Sequence, residues 1–500
     1  MTISSTGGRL WGWWLDAAGG PLRARVLILF AGVLALDTAD VSMIGAIASK
    51  LETALRISNT ELGVLASVPS VVAAVATVPV GVLTDRACRM RLLTSSIVIW
   101  GIAMAASAAS PSFAVLLLTR LALGAANATA GPTVSSLIGD YFPVRERGRV
   151  YGIILSGELL GAGIGFIVAG EIASVLTWRA GFVVLALPSL ALAYLLWRKL
   201  PEPARGGTGR LKRGATRFVD PDDPAETPPA GEGPELTVAQ KKVKRLPVDP
   251  HEELVLRGDP ARLSLWEATK YVLRVRTNLI LVVTSALGYF YLTGIETFGQ
   301  VYVRHHYGLG QGTSTLVLGA LGLGGLVGVL AGGGLADRLL ARGDVNGRIT
   351  VGGWSFVIAT GLLVPALLGR SLIWTLPLLI AASAAFAARN PALDAARLDI
   401  MHHRLWGRAE AVRTFLRRLM VATAPVVFGA LADALDHGAA TSGHYGFGAG
   451  ASASGLHLAL LILSVTLVLG GLLTFRARRT YPRDVATAIA SEEATKPSRE

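Results

Sequence analysis

The chain has a single cysteine, Cys88, among 500 residues, so neither a disulfide framework nor a thiolate metal site can be built within it. It is also short of charge: Asp, Glu, Lys and Arg make up 16% of the residues, less than a soluble chain of this length carries. No small-residue cleavage site follows a short apolar core at the start, where Trp11, Trp13 and Trp14 precede Arg23 and Arg25. That segment is therefore expected to be an uncleaved interfacial anchor. No Gly-Lys-Ser/Thr follows the glycine-rich stretch 319–334, so a phosphate loop, and with it ATP, is not implied. The histidine pairs His305-His306 and His402-His403 are adjacent in sequence and cannot point one way along a helix. With no carboxylate at ligand spacing, no metal or other cofactor is expected. Nor is there a clustered nucleophile and base that would make the chain an intramembrane enzyme.

What the chain has in abundance is apolar length. Apolar residues make up 52% of it and the mean hydropathy is +0.52. Runs of about 17–25 apolar residues recur, each long enough for a bilayer-crossing helix. They lie at roughly 24–47, 61–83, 92–110, 113–138, 149–173 and 179–198, then roughly 277–300, 313–337, 349–369, 372–394, 409–433 and 456–475. The expected class is an all-α membrane protein of twelve transmembrane helices.

The net charge of +13 sits in short clusters between these runs, so it points to an anionic membrane leaflet and not to nucleic acid. Arg86, Arg89 and Arg91 follow the second run, Arg145, Arg147 and Arg149 the fourth, and Arg338, Arg342 and Arg348 the eighth. Arg404 and Arg408 follow the tenth, and Arg476, Arg478 and Arg479 the last. The alternate loops hold only Lys50, Arg56, Arg179, Arg304 and Arg370. The bias places both termini in the cytoplasm of an inner-membrane protein.

A polar segment divides the runs six and six. The expected organisation is an N-terminal interfacial segment (1–23), a six-helix bundle (24–198), a cytoplasmic linker (199–276), a second six-helix bundle (277–475) and a cytoplasmic tail (476–500). The first two-thirds of the linker, rich in Pro, Gly and charge, reads as disordered. Its end, from Arg262 to Arg276, spaces apolar residues helically between basic ones and should lie along the membrane surface.

The halves share local patterns. Gly81-Val82-Leu83-Thr84-Asp85-Arg86 ends the second run and Gly333-Gly334-Leu335-Ala336-Asp337-Arg338 the eighth. Asp140-Tyr141-Phe142 stands in the first half where Asp399-Ile400-Met401 stands in the second. Two repeated bundles with a cavity between them are a transporter design.

These residues resemble the major facilitator superfamily. Gly81-x-x-x-Asp85-Arg86-x-x-Arg89-x-Arg91 matches its cytoplasmic loop motif, and Arg120-x-x-x-Gly124 resembles its fourth-helix motif. Asp140-Tyr141-Phe142-Pro143 with Arg147-Gly148, and Trp178-Arg179 before Phe182, are similar to its next two connections. Within the superfamily the second half looks most like the spinster-type lipid transporters. It has Val303-Arg304-His305-His306-Tyr307-Gly308-Leu309, followed by Gly319, Gly322, Gly325, Gly328, Gly332 and Gly333. Two features depart from that branch: Asp40 is followed by Val41 and not Arg, and Asn127 replaces an expected fourth-helix acid. The resemblance implies two six-helix bundles that rock about a central cavity, the fold of alternating access.

Ionisable side chains inside a bilayer cost about 2.5–3.5 kcal/mol or more on insertion scales, so each needs a reason. Asp37 and Asp40 share a face of the first helix. At a rise of about 1.5 Å per residue, Asp40 and Arg120 fall at similar depths, about 10 Å below the outer surface. They are expected to form a pair that protonation of Asp40, or the solute, can break. A static salt bridge is the plainer alternative. Glu158, beside Gly157, Gly161, Gly163 and Gly165, is a possible second proton or substrate site; the glycines themselves would serve helix packing. Glu296, near the outer end of the seventh run, would either line the cavity mouth or stand exposed at the interface. Arg389 is expected at an inner helix end, snorkelling. At the cytoplasmic gate, Asp85 is expected to pair with an arginine such as Arg413, and Asp337 with Arg145 or Arg147.

The function expected from these features is secondary transport by a monomer. The energy source is a proton gradient, and the solute is amphiphilic or lipid-like, such as a lysophospholipid, because isolated charges in an apolar cavity suit an amphiphile. Drug export, organic-anion uptake on the same scaffold and a transport-incompetent membrane sensor remain open. The orientation has a direct check. In a Cys88→Ser background, single cysteines at Ser4 and Ser498 should react with an impermeant maleimide only after permeabilisation, and labelling in intact spheroplasts would refute cytoplasmic termini.

Overall fold

A computed structural model describes residues 15, 18–142, 147–203, 211, 214–215, 236–260, 263–439 and 451–495. Twelve helices or helix pairs among these residues are long and apolar enough to cross a membrane. In the first half they are α1 (Pro21–Leu55), α2 (Asn59–Arg86), α3 (Arg89–Ala108), α4 with α5 (Phe113–Asn127, Ala130–Tyr141), α6 (Arg147–Val175) and α7 (Trp178–Lys199). Two short helices follow, α8 (Val238–Val243) and α9 (Leu265–Arg274). The second half holds α10 (Arg276–Tyr307), α11 (Gln311–Ala341), α12 (Gly347–Leu368), α13 (Leu372–Asp399), α14 (Trp406–Ala439) and α15 with α16 (Ala451–Leu463, Val465–Ala477). The chain closes on α17 (Tyr481–Ala494). Residues 1–231 and 232–500 form two compact units.

Each unit uses the same pairings. In the first, α1 packs on α6, α2 on α4 and α3 on α7; in the second, α10 packs on α14, α11 on α13 and α12 on α16. Outward faces carry large apolar side chains such as Ile164, Leu187, Leu323, Leu330 and Ile373, which suits hydrocarbon, not water.

In lipid there is no hydrophobic drive between helices, so close approach of small residues has to supply the contact. On α6, Gly157, Gly161 and Gly165 recur every four residues against Ala31, Ala35 and Ala39 of α1; a Cβ on any of the three would stand 2.4–2.6 Å from that helix. Gly163 faces open space and takes no part in the ladder. Two side-chain hydrogen bonds run beside it: Thr38 Oγ1 donates to the Glu158 carbonyl at 2.8 Å and Ser42 Oγ to the Ala162 carbonyl at 2.9 Å. The second unit repeats the device between α11 and α13. There Gly324, Gly328 and Gly332 lie against the carbonyls of Ile380, Ala384 and Ala388.

The fourth crossing is broken at 128–129. Pro132 lacks an N–H for the Ala128 carbonyl and its ring crowds that oxygen, so α4 stops at Asn127 and α5 restarts at Ala130. The break leaves Asn127 as the last residue of α4, inside the apolar crossing.

At the expected cytoplasmic end each unit closes with the same clamp, 51 residues apart in sequence. Arg89, at the start of α3, bonds Asp140 at the end of α5; Arg348, at the start of α12, bonds Asp399 at the end of α13. Each clamp also fastens the segment that follows its bundle. In the first, Arg89 Nε reaches Glu202 at 2.7 Å, Arg89 Nη2 donates to the Pro203 carbonyl at 2.9 Å, and Tyr141 donates to the Pro201 carbonyl. Burial pushes the Glu202 carboxyl up, but bonds from the Met90 N–H, Arg89 and the Cys88 thiol more than offset this and hold it below the usual carboxylate range. In the second, Asp399 accepts from Thr237 Oγ1 at 2.6 Å and from the Tyr481 hydroxyl, and its carbonyl accepts from Gln240.

These contacts hold the described parts of the linker, while residues 204–210, 212–213 and 216–235, on which most of the expectation of disorder rests, lie outside the described residues. Leu211 and Gly214 bond the backbone at Tyr141 and Gly19, and residues 236–260 pack on the second unit. The tail is tied in as well. The His251 N–H donates to Thr487 Oγ1, the Leu256 N–H to Ser491 Oγ, and the Thr277 N–H to Asp484, at 2.8–3.1 Å. The surface helix expected near 262–276 is α9, started by a Ser264–Glu267 capping box, with Ala268 and Val272 buried and Trp266 exposed.

The ladder predicts an asymmetry among glycines. Gly328→Ala drives a methyl into the Ala384 carbonyl and should destabilise the protein by about 1–3 kcal/mol, read as a lower apparent Tm in detergent. Gly322→Ala, facing open space, should leave the Tm unchanged. Asp399→Ala should loosen the tail, read as faster proteolysis near 481–495, because it strands Arg348 and Tyr481.

Candidate functional site

Arg120 projects from α4 toward α1, where both guanidinium ends meet one carboxylate. Nη1 stands 2.6 Å from Asp40 Oδ1 and Nη2 3.2 Å from Oδ2. Asp40 is fully buried and Arg120 is 1% exposed. The fourth-helix motif thus has two uses four residues apart: Arg120 reaches α1, while Gly124 lets the backbone of α2 approach at Pro69. A two-point pair in an apolar interior is strong only while both partners remain, since removing one leaves a buried charge uncompensated.

One turn below Asp40 on α1, Asp37 lines a cavity of about 20 Å³ with Val33, Leu36, Ser96, Ile97, Trp100, Ala126, Asn127 and Ala130. Asn127, at the end of α4, therefore shares a cavity with Asp37. Sequence reasoning did not pair these two residues, and it missed Trp100 and Ser96 of α3.

The other expected site residues are scattered. Glu158, half-buried on α6, contributes its backbone carbonyl to the bond from Thr38. Glu296 is exposed on the outer half of α10. Gly81, Asp85 and Arg86 belong to α2 and Arg147 opens α6, but their surroundings, like Arg145 itself, lie outside the described residues. Arg89 serves the Asp140 clamp. Arg413 bonds Asp394 and Glu410 of its own unit, which Arg397 bonds too. Asp337 and Arg338 are exposed, and the Arg348 guanidinium lies 3.8 Å from Asp337. The expected pairings of Asp85 with Arg413 and of Asp337 with Arg145 or Arg147 thus rest on residues beyond description.

Arg389 requires a correction. It does not snorkel: it is 1% exposed, inside the second unit, capped by Phe386 at 3.7 Å, Phe356 at 5.1 Å and Tyr289 at 5.7 Å. It donates to the Phe386 carbonyl and to Asn390 Oδ1, while Nη2 meets no partner among the described residues. Ring faces carry negative potential, so an aromatic cage can hold a guanidinium where a carboxylate would otherwise be needed. The signal was the length of the apolar run, which continues past Arg389 to Leu393. Among the described residues no group of three or more His, Cys, Asp or Glu could hold a metal ion.

Known proteins place this architecture. Residues 29–425 match the family model described as Major Facilitator Superfamily. Among curated relatives, a probable L-galactonate transporter of Escherichia coli (strain K12) is 28% identical over 178 residues, 35% of this chain and 39% of the relative. A hexuronate transporter of Bacillus subtilis (strain 168) is 30% identical over 178 residues, 35% and 42%. The 4-hydroxybenzoate transporter PcaK of Pseudomonas aeruginosa is 28% identical over 185 residues, 37% and 41%. The chain thus spans about two fifths of the length of the relatives it matches. Among solved structures, a bacterial homologue of the human lysosomal transporter Spinster superposes with a TM-score of 0.73 at 19% identity, covering 93% of this chain and 98% of that one. The nucleoside transporter NupG superposes with a TM-score of 0.59 at 12% identity, covering 91% of this chain and 99% of that one. The paired bundles, the doubled clamps and a family match across most of the sequence lead to one conclusion: this multi-pass membrane protein belongs to the Major Facilitator Superfamily.

Proposed function

We propose that this chain is a proton-coupled carrier of a small amphiphilic organic acid, and the observation that carries the reading is the buried two-point pair of Asp40 and Arg120. A guanidinium keeps its charge at any physiological pH. An unpaired Arg120 in that interior costs several kcal/mol, so the pair opens only when another anion replaces Asp40. A proton on Asp40 removes its negative charge and weakens its hold, and the solute carboxylate then takes the guanidinium. Proton and solute load together because each makes room for the other, which is the coupling a symporter requires. Loss of either returns the pair to its closed form.

Three named relatives carry galactonate, hexuronate and 4-hydroxybenzoate by their titles, all of them carboxylates, which supports an organic acid as cargo. The spinster-like motif Val303–Leu309 favours a second reading, a lysophospholipid whose phosphate would meet the same arginine. Alternating access would be gated at the expected cytoplasmic side by the doubled Asp85 and Asp337 motifs, in a monomer of the inner membrane with both termini inside.

Thermal-shift and proteoliposome assays separate the readings. An organic acid such as galactonate, gallate or 4-hydroxybenzoate should stabilise the wild type, increasingly so as pH falls, and Arg120→Ala should weaken binding about 100-fold or more. Asp40→Asn, fixed in the uncharged form, should bind with an affinity independent of pH and still exchange solute, but fail to accumulate it on a pH gradient. Stabilisation by lysophosphatidylglycerol and by none of the acids would select the lipid reading. Uptake by the wild type that ignores collapse of the pH gradient would end the proton-coupled one.

A further inference from the structure

The connection that enters the second bundle carries charges used neither by the pair of Asp40 and Arg120 nor by the two clamps. At about 100° per residue, Trp266, Lys270 and Arg274 recur four apart on α9 and fall within about 80° of one another. All three are exposed, Trp266 at 76%. Ala268 and Val272 lie on the opposite side and are fully buried, where α9 packs on α14 and α10. The Tyr271 hydroxyl donates to the Leu254 carbonyl at 3.0 Å and holds the helix in that rotation. One face is thus committed to the protein, and the other presents an indole and two cations outward.

Neither Lys270 nor Arg274 makes an ion pair or a side-chain hydrogen bond among the described residues. Glu267, the acid of this helix, is taken up by the capping box. Its carboxylate accepts the Ser264 N–H at 2.9 Å, and the bonds from Ser264 hold it below the usual carboxylate range. The depth of the outward face follows from the residues after it. Val275 is extended and buried, so it turns inward between the exposed Arg274 and Arg276. Arg276 then shares a side of α10 with the exposed Leu279 and Val283, three and seven residues on. Large apolar side chains exposed on a crossing helix face hydrocarbon. Arg276 stands only about 4.5 Å before Leu279 along the axis, so α9 lies at the depth of the lipid headgroups.

We propose that the outward face of α9 is a binding site for an anionic phospholipid, with Lys270 and Arg274 on the headgroup phosphate and the Trp266 indole at the level of the glycerol esters. A zwitterionic headgroup brings its own cation, whereas an anionic one leaves its charge for the two side chains. The indole belongs at the same level, since its ring is apolar and its N–H needs an acceptor. An acidic soluble protein would match the cations but leave the indole in water, so the bilayer is the partner that satisfies both. Arg276 adds charge but also lies near the buried Asp484 of α17, and the site therefore rests on the first two cations. The inference is independent of the solute and of the exchange at Arg120. Because α9 joins the linker to the seventh crossing, a headgroup held there anchors the point where the linker enters the second unit.

The probes are phosphatidylglycerol and phosphatidylcholine with the same acyl chains, titrated onto the delipidated full-length protein in a neutral detergent. The readout is the Kd of the first bound lipid by native mass spectrometry. The wild type should bind phosphatidylglycerol about tenfold or more tighter than phosphatidylcholine. In the double variant Lys270→Gln, Arg274→Gln that ratio should fall about fivefold or more, with the apparent Tm unchanged because both side chains are exposed. The double variant Lys244→Gln, Arg257→Gln removes the same charge from linker residues already paired with Glu493 and Glu252, and it should keep the ratio. Trp266→Ala should weaken both lipids by a similar factor, and unchanged affinity would overturn the interfacial placing of this helix. A wild-type ratio near one would overturn the site. So would a ratio that the Lys244 and Arg257 changes lower as much, since net charge alone would then suffice. A ratio that survives loss of Lys270 and Arg274 would overturn it too, and would leave this face to an acidic protein. Competition by soluble glycerol phosphate would make it a site for free phosphate, against the lipid assignment.

Discussion

The apolar slab sets the terms for every charge in this protein: a charge that enters it must find its counterpart inside its own unit. Asp40 and Arg120 meet this by a two-point bond across α1 and α4, and Arg389 meets it with three aromatic rings in place of a carboxylate. These two solutions differ in what they allow. A carboxylate can be neutralised by a proton or replaced by another anion, whereas an aromatic cage has no such chemistry. In the proposed function the first unit carries the pair that is exchanged, while the second carries a cation held by rings.

The same slab explains the spacing of small residues. Helices that cannot gain by hiding apolar surface from lipid gain instead from backbone contact, and the two four-residue ladders provide it. The ladder between α1 and α6 fixes the helix that carries Asp37 and Asp40. Gly124 fixes the helix that carries Arg120 against α2. Asn127, the last residue of α4, lines one cavity with Asp37 and Trp100. Packing and site are therefore one arrangement, in which glycine sets how closely the helices approach and the polar residues use the resulting geometry.

At the expected cytoplasmic end, both halves spend an arginine and an aspartate on a clamp that also gathers chain from outside the bundle. The first holds residues 201–203, and the second holds 237–240 and the start of α17. The linker and tail have the composition of solvated segments and would not fold alone. Linker residues 237–256 and the start of α17 are held in place because Asp399, Asp484, Thr487 and Ser491 offer backbone and side-chain partners at defined places.

The sequence by itself determined the twelve apolar crossings, their division into related halves and the depth at which Asp40 and Arg120 lie, because length, hydropathy and helical rise are local quantities. It also carried the motifs of the superfamily, which are short enough to read residue by residue. Only the tertiary structure decided that the pair closes with both oxygens, that Asn127 joins Asp37 and Trp100 around a cavity, and that Arg389 is caged and not snorkelling. Each of these depends on which faces of non-adjacent helices meet, and a glycine ladder and a ring stacked on a guanidinium set those faces in ways no local pattern encodes. The docked linker and tail belong to the same class. Their order comes from hydrogen bonds between residues more than two hundred positions apart, and no property of either segment alone reveals them.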